Sequence, residues 1–297
     1  MSNEQEIAEK HAPILYLHPE EKYFPMDPED FVRSSRLWRA RENRPLSAFD
    51  VHAKAWVPSP EGERLFGVPV ELLAGSEELH GPDDASWSRR PHDVSPAPDG
   101  EQYALEHPDE KPTTSFDPDR PPPCYYFVQP WKGHTLVSYW FFFGFSQFLA
   151  WIAHQGDWEH ASLVVRNDGT VASGFFAVHE GKYYVRQDKL SGQDGRLRIY
   201  SAKGRHATWW KEGNHTVGLT FLQPRRRIAD LEEAVFQDET AAGPAWDLRR
   251  NLRPLAQQPW RRFGGAWGKV GDAPHATGPL GPWFKRLINP KDKVVLE

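Results

Sequence analysis

The sequence predicts a mainly β protein: an antiparallel β-sandwich with a few short peripheral helices and long Pro-rich loops. Three observations carry that prediction. Runs rich in aromatic and β-branched residues recur through the centre of the chain. Tight-turn sequences separate those runs, so consecutive strands meet as hairpins. Finally, 27 of the 297 residues are proline, well above the usual ~5%. Proline disfavours helix interiors and central strands, so ordered loops must carry it.

The first strand is residues 14–17 (ILYL). Asp27-Pro28-Glu29 then reads as N-cap, first helical residue and first-turn acid of a brief helix through Phe31 and Val32. Between Pro82 and Pro123, ten prolines interrupt an acidic, polar stretch that keeps no apolar period. Residues 82–123 therefore read as a loop or insertion within one domain spanning 1–297. Residues 134–143 (HTLVSYWFFF) predict a strand covered on both faces. Residues 159–165 turn at Asn167-Asp168-Gly169 into residues 171–178, because Asp-Gly suits the positive φ of a tight turn. A second turn at 179–182 precedes YYV, residues 196–202 and 215–222 predict two more strands, and residues 228–236 are the main helix candidate.

Composition excludes several classes of function. Lys plus Arg total 36 against 41 Asp plus Glu, a net charge of -5, so the chain lacks the basic balance of a general nucleic-acid binder. Cys124 is the sole cysteine, which rules out a disulfide framework and a multi-cysteine zinc site. The start is polar and acidic with no apolar signal region, and the run YWFFFGF (139–145) is too short to span a bilayer. A cytoplasmic protein without a transmembrane segment is expected. Oligomeric state is not legible.

The chemistry-bearing segment is His154-Gln155-Gly156-Asp157-Trp158-Glu159-His160, which runs into a predicted strand. Alternate strand residues share a face, so Asp157 and Glu159 join the apolar row Ala161, Leu163 and Val165. Two carboxylates at the end of a core-facing row need a cation or donors. His154, just past the flexible Gly156, can fold over the same end. His154, Asp157 and Glu159 together suit a divalent ion: Mg, Mn, Ca or Zn. The plain alternative pairs both acids with Arg or Lys. His206, in the glycine-punctuated loop KGRHATW, is a second candidate that can meet His154 across the sheet. No nucleophile elbow, paired-histidine zinc helix, phosphate loop or dinucleotide fingerprint is present.

The pieces APILYLHPEEKYFP, YWFFFGF, HQGDWEH, YSAKGRHATW and FGGAWG followed by GPLGPW occur in an order that resembles the vacuolar protein sorting-associated protein 62 family. More remotely, His-x-x-Asp-Trp-Glu is similar to a segment of the necrosis- and ethylene-inducing peptide-like proteins. That resemblance implies a β-sandwich in which His154, Asp157 and Glu159 help hold a divalent ion. Gly156 stands where that family has a second histidine, and the nearby upstream loop offers Ser146 and Gln147 but no carboxylate.

Four functions follow in order. The first is a divalent-metal-dependent enzyme, hydrolytic in type, acting on a small-molecule, lipid or glycan substrate. His206 or His160 serves as acid or base, and Arg205 steadies an anionic group. The second is a metal-dependent lipid head-group or glycan binding module without catalysis. The third uses Asp157 and Glu159 as a metal-free glycosidase couple, although carboxylates on one strand face point the same way. The fourth is an ion-pair network with a structural role.

Overall fold

A computed structural model describes residues 3–41, 65–75, 79–80, 101–149, 152–179, 181–193, 195–217, 236–269, 276–285 and 295–296. The prediction of a mainly β, layered sheet protein with short peripheral helices holds. The helices among the described residues are α1 (Asn3–His11), α2 (Pro28–Ser34) and α3 (Val70–Gly75).

A seven-stranded sheet forms the centre. Its order is β16 (Leu252–Pro254), β5 (Cys124–Trp131), β6 (His134–Leu149), β7 (Ile152–Val165), β8 (Val171–Val178), β9 (Gly181–Arg186) and β18 (Val295–Leu296). On one side lies a five-stranded sheet of β1 (Ile14–Tyr16), β10 (Gly192–Gln193), β11 (Arg196–Ser201), β12 (Thr208–Trp209) and β15 (Ala245–Asp247). On the other side lie β2 (Arg36–Arg41), β3 (Leu65–Phe66), β4 (Glu101–Glu106) and β17 (Ala266–Trp267). A separate hairpin pairs β13 (Gly213–Val217) with β14 (Phe236–Thr240).

The period-2 alternation of β6 and β7 builds both cores. Odd-numbered Val137, Tyr139, Phe141, Phe143, Ala161 and Leu163 pack with Leu15, Ile199 and Trp246 of the five-stranded layer. Even-numbered Trp140, Phe142 and Trp158 pack with Leu37, Tyr103, Leu105 and Trp267 of the four-stranded layer. That is why HTLVSYWFFF reads as a nearly continuous apolar run. Consecutive hairpins are antiparallel, whereas some short strands arriving from distant sequence join in parallel, as β1 does beside β11 and β16 beside β5.

The sequence reading differs from the fold at two elements, and two further expected elements fall wholly or partly outside the described residues. The strand expected at 134–143 continues to Leu149. Strand β4 lies inside the stretch read as a Pro-rich loop: its YALE sequence buries Tyr103, Ala104 and Leu105, too short a run to show a period. Residues 218–222 of the expected 215–222 strand and residues 228–235 of the expected helix lie outside the described residues, and Phe236 opens β14.

Asp27 caps α2 as expected, its side chain accepting from the Glu29 N–H at 2.9 Å. Asp27→Ala should destabilise the protein by about 1 kcal/mol, and Asp27→Asn by much less, because Asn retains the acceptor. Urea denaturation of the two variants checks this.

Candidate functional site

The HQGDWEH segment opens β7 and ties it to a different partner at nearly every residue. His154 is half-buried, and its Nδ1 lies 2.7 Å from the Gly156 carbonyl oxygen. The buried Gln155 amide donates to the carbonyls of His107 (3.0 Å) and Asp109 (2.7 Å) and accepts from the N–H groups of His107 and Lys269. Gly156 takes φ +67°, and a Cβ there would meet the Trp267 carbonyl oxygen at 1.8 Å. Trp158 fills the second core, packed edge-on against Tyr125 and Trp267 and tilted against Trp260.

Asp157 is the centre of charge. Its Oδ2 lies 3.0 Å from His206 Nδ1. On the far side of the imidazole, Nε2 lies 3.7 Å from Glu21 Oε1, and the ring stacks flat on Phe143 at 3.7 Å between centroids. The His206 side chain is fully buried and the two carboxylates nearly so. Glu21 also accepts from the backbone N–H groups of Lys22, Tyr23 and Gly204. Burial opposes charge on His206, but the Glu21 and Asp157 carboxylates outweigh it and raise the imidazole to about 9. Burial likewise works against Glu21, yet His206 and the backbone donors lower it to about 2. Asp157 is also held low against burial, by His206, His154 and the Ser146 hydroxyl. At neutral pH the trio is carboxylate, imidazolium, carboxylate.

A second buried charge lies beside it. The Asp238 side chain is fully buried and accepts from Arg205 Nη1 (2.9 Å), Trp209 Nε1 (3.0 Å) and His179 Nε2 (2.9 Å). Those donors hold its carboxyl low in spite of burial. Arg205 also lies over the Phe148 ring at 3.2 Å. Both His179 (φ +51°) and His206 (φ +63°) adopt the left-handed conformation that non-glycine residues seldom take.

The sequence-derived candidates are therefore brought together only in part. Asp157 and His206 meet, and Arg205 immediately precedes His206 in its loop but is engaged with Asp238. His160 lies on the opposite face of the sheet, half-buried and stacked on Trp140 at 4.0 Å. Glu159 shares the Asp157 face, where burial and the Asp157 carboxylate push its carboxyl well above the usual range and favour the neutral acid. Among the described residues, no three His, Cys, Asp or Glu side chains group as a metal ion requires. This overturns the expectation of a divalent-metal-dependent hydrolase. Asp157 is occupied by the His206 imidazolium, and burial beside Asp157 disfavours charge on Glu159.

Sequence reasoning missed Glu21, Asp238 and His179. Glu21 stands in the quoted LHPEEKYFP piece, and the buried trio shows why an acid there accompanies KGRHATW. Above the trio is an outward rim. The half-buried Tyr23 hydroxyl donates to Gln147 Oε1 at 2.7 Å, and the exposed Lys111 ammonium donates to the same oxygen at 3.1 Å. The Tyr23 ring packs edge-on against Phe145 at 4.9 Å. The Gln147 N–H also donates to the Gly204 carbonyl at 2.7 Å, which joins the rim to the His206 loop.

Comparison with known proteins agrees with the motif order. Residues 129–228 match the model of the family described as vacuolar protein sorting-associated protein 62. The chain is similar to that family over this segment. It is 25% identical to the Saccharomyces cerevisiae vacuolar protein sorting-associated protein 62, over 93% of this chain and 64% of the yeast protein. It is 24% identical to the yeast putative vacuolar protein sorting-associated protein TDA6, over 93% of this chain and 66% of that one. The chain thus spans just under two thirds of the length of these sorting-protein relatives. Among solved structures, it is similar to necrosis and ethylene inducing protein 2 from the causal agent of cocoa's witches' broom disease. That match has 12% identity and a TM-score of 0.35, covering 87% of this chain and 76% of the other. Among the described residues, no helix is long and apolar enough to cross a membrane.

Proposed function

We propose that this protein is a non-catalytic binding module for a hydroxyl-rich ligand, a glycan or a polyol lipid headgroup, acting in a vacuolar-sorting role like that for which its relatives are named. One observation carries the reading. The ionisable trio is buried and spent on mutual neutralisation, whereas the groups turned outward above it are neutral hydrogen-bonders and a cation on an aromatic floor: Tyr23, Gln147, Lys111 and His154. His154 Nδ1 is engaged by the Gly156 carbonyl oxygen, which leaves Nε2 for a ligand. The Gln147 amide nitrogen offers donors. Donors and acceptors beside ring faces suit sugar and polyol hydroxyls. The unpaired, buried Cys124 agrees with a reducing, cytoplasmic setting, which belongs to the proposal.

The test is titration with free hexoses, hexosamines and myo-inositol phosphates, followed by calorimetry and by amide chemical shifts. A saturable response from one class is expected, with shifts at Tyr23, Gln147 and His154. Gln147→Ala should weaken it about five- to tenfold, the worth of one or two hydrogen bonds. Absence of saturable binding across all three classes, or binding untouched by Gln147→Ala, overturns the reading.

A further inference from the structure

Residues 107–113 run past the rim as a strap with no helix or strand of its own. Two anchors hold it. The buried Gln155 amide, inside HQGDWEH, donates to the carbonyls of His107 and Asp109. Thr113 accepts from the Phe24 N–H at 3.0 Å and donates to the Lys22 carbonyl at 3.3 Å. Between them the strap presses on Gly144, where a Cβ would lie 2.6 Å from the Pro112 carbonyl oxygen. Lys111 therefore stands in a fixed stretch of backbone, although its side chain is exposed.

The valences at the rim are one-sided. The Lys111 ammonium donates to Gln147 Oε1 at 3.1 Å and lies 5.6 Å from the centre of the Phe145 ring. An ammonium cannot accept, so the amide atom facing it is the oxygen and the Gln147 nitrogen points elsewhere. That oxygen also takes the Tyr23 hydroxyl, which fills both its lone pairs. The described residues leave two N–H bonds of Lys111 and two of Gln147 without an acceptor, beside a lone pair on the Tyr23 oxygen. The charge is unmatched as well. Arg205 is paired with Asp238 and Lys203 with Glu20, but among the described residues no carboxylate pairs with Lys111. The neighbouring Asp109 turns its carboxylate toward His107 Nδ1, at 3.7 Å.

We infer that Lys111 and Gln147 form an oxyanion subsite, so that the hydroxyl-rich ligand of the rim is a phosphorylated one. The inference rests on the rim reading for the hydroxyl-rich part of the ligand and adds the phosphate. Open N–H bonds, half of them on a cation, match the surplus lone pairs and the charge of a phosphate. A neutral hydroxyl must also donate and leaves the Lys111 charge unanswered. The Tyr23 oxygen accepts from a ligand hydroxyl beside the phosphate. A sugar or polyol phosphate and a phosphorylated lipid headgroup present this same chemistry.

The experiment is calorimetric titration of the full chain with myo-inositol, myo-inositol 1-phosphate and glycerophosphoinositol. The monoester should bind about tenfold more tightly than myo-inositol, in keeping with charge-assisted hydrogen bonds. Lys111→Met should erase that preference and Lys111→Arg should keep most of it, with the urea midpoint unchanged in both because the side chain is exposed. Raising salt from about 0.05 M to about 0.5 M should shrink the preference in the wild type. A diester bound as tightly as the monoester assigns the phosphate to a lipid headgroup, and a monoester bound alone assigns it to a free sugar or polyol phosphate. Equal affinity for myo-inositol and its phosphate overturns the inference and spares the rim reading. A preference that survives Lys111→Met also overturns the inference. No response to any of the three removes the rim reading, and the inference with it.

Discussion

Replacing His206 by alanine is expected to lower the unfolding free energy by about 3–5 kcal/mol at pH 7, the usual cost of stripping the partner from buried charge. His206 sits between Asp157 and Glu21, and none of the three has free access to water. Without the imidazolium, two carboxylates face each other in a low-dielectric site. The direction of the pH dependence separates this cause from simple loss of packing. In the wild type, the Glu21 contribution is complete above its ordinary value of 4.5 and is lost as pH falls toward about 2. The His206 contribution is complete below 6.5 and is lost as pH rises through about 9. Both terms describe one set of contacts, worth on the order of 3 kcal/mol and counted once. Stability should therefore be greatest between about pH 4.5 and 6.5 and should decline on either side. In His206→Ala the acid side reverses: protonating the stranded carboxylates relieves them, so stability rises as pH falls toward 5. Urea denaturation between pH 4 and 9 reads both curves. Parallel profiles, or a loss under 1 kcal/mol, would show that the trio is not charged as described.

Because His206 has φ +63°, alanine also pays a backbone cost there. Asparagine tolerates that conformation better and separates the two effects. His206→Asn should recover about 1 kcal/mol of the loss while leaving the altered pH profile in place.

The same trio shows how far the sequence could be read. The parity of β7 placed Asp157 and Glu159 on one face, and the need for a counter-charge followed from burial. That much is dictated by the period of a strand. The identity of the counter-charge is not. It comes from His206, 49 positions away, whose own charge is held by Glu21, 136 positions from Asp157, contacts that no local pattern encodes. An ion was the economical guess for acids without a visible partner, and the chain supplies an imidazolium instead. His160 failed as a companion of His206 for a reason that was legible: it has the parity of Trp158 and so belongs to the other face. The sheet itself was readable because both faces of β6 are apolar, and β4 was not because three buried residues between prolines resemble a loop.

The second large effect is expected at Gly156, where alanine should destabilise the protein by about 2–5 kcal/mol. Two terms contribute. Left-handed φ costs an alanine about 1–2 kcal/mol, and overpacking a tight contact adds about 1–3 kcal/mol. A Cβ at Gly156 would lie 1.8 Å from the Trp267 carbonyl oxygen and 2.8 Å from its carbon, both backbone atoms that no rotamer change can move. The contact is mutual, because a Cβ at Gly268 would lie 2.0 Å from the Gln155 carbonyl oxygen. Across the hairpin, a Cβ at Gly144 would lie 2.5 Å from Met26 Sδ and 2.6 Å from the Pro112 carbonyl oxygen. Bare backbone at this level of the β6–β7 hairpin thus lets segments from both ends of the chain close on it. This explains why HQGDWEH and FGGAWG occur together: each supplies a glycine for the other's backbone. Gly133→Ala is the control, since Gly133 has φ +79° but nothing within 4 Å of the added carbon. It should cost only the conformational part, about 1–2 kcal/mol. The difference between the two variants in urea denaturation isolates the steric term. Tryptophan emission should shift in Gly156→Ala alone, because displacing Trp267 disturbs its contacts with Trp158 and Trp260. Equal losses in the two variants would mean that Trp267 yields freely, and the glycine pairing between the motifs would then be incidental.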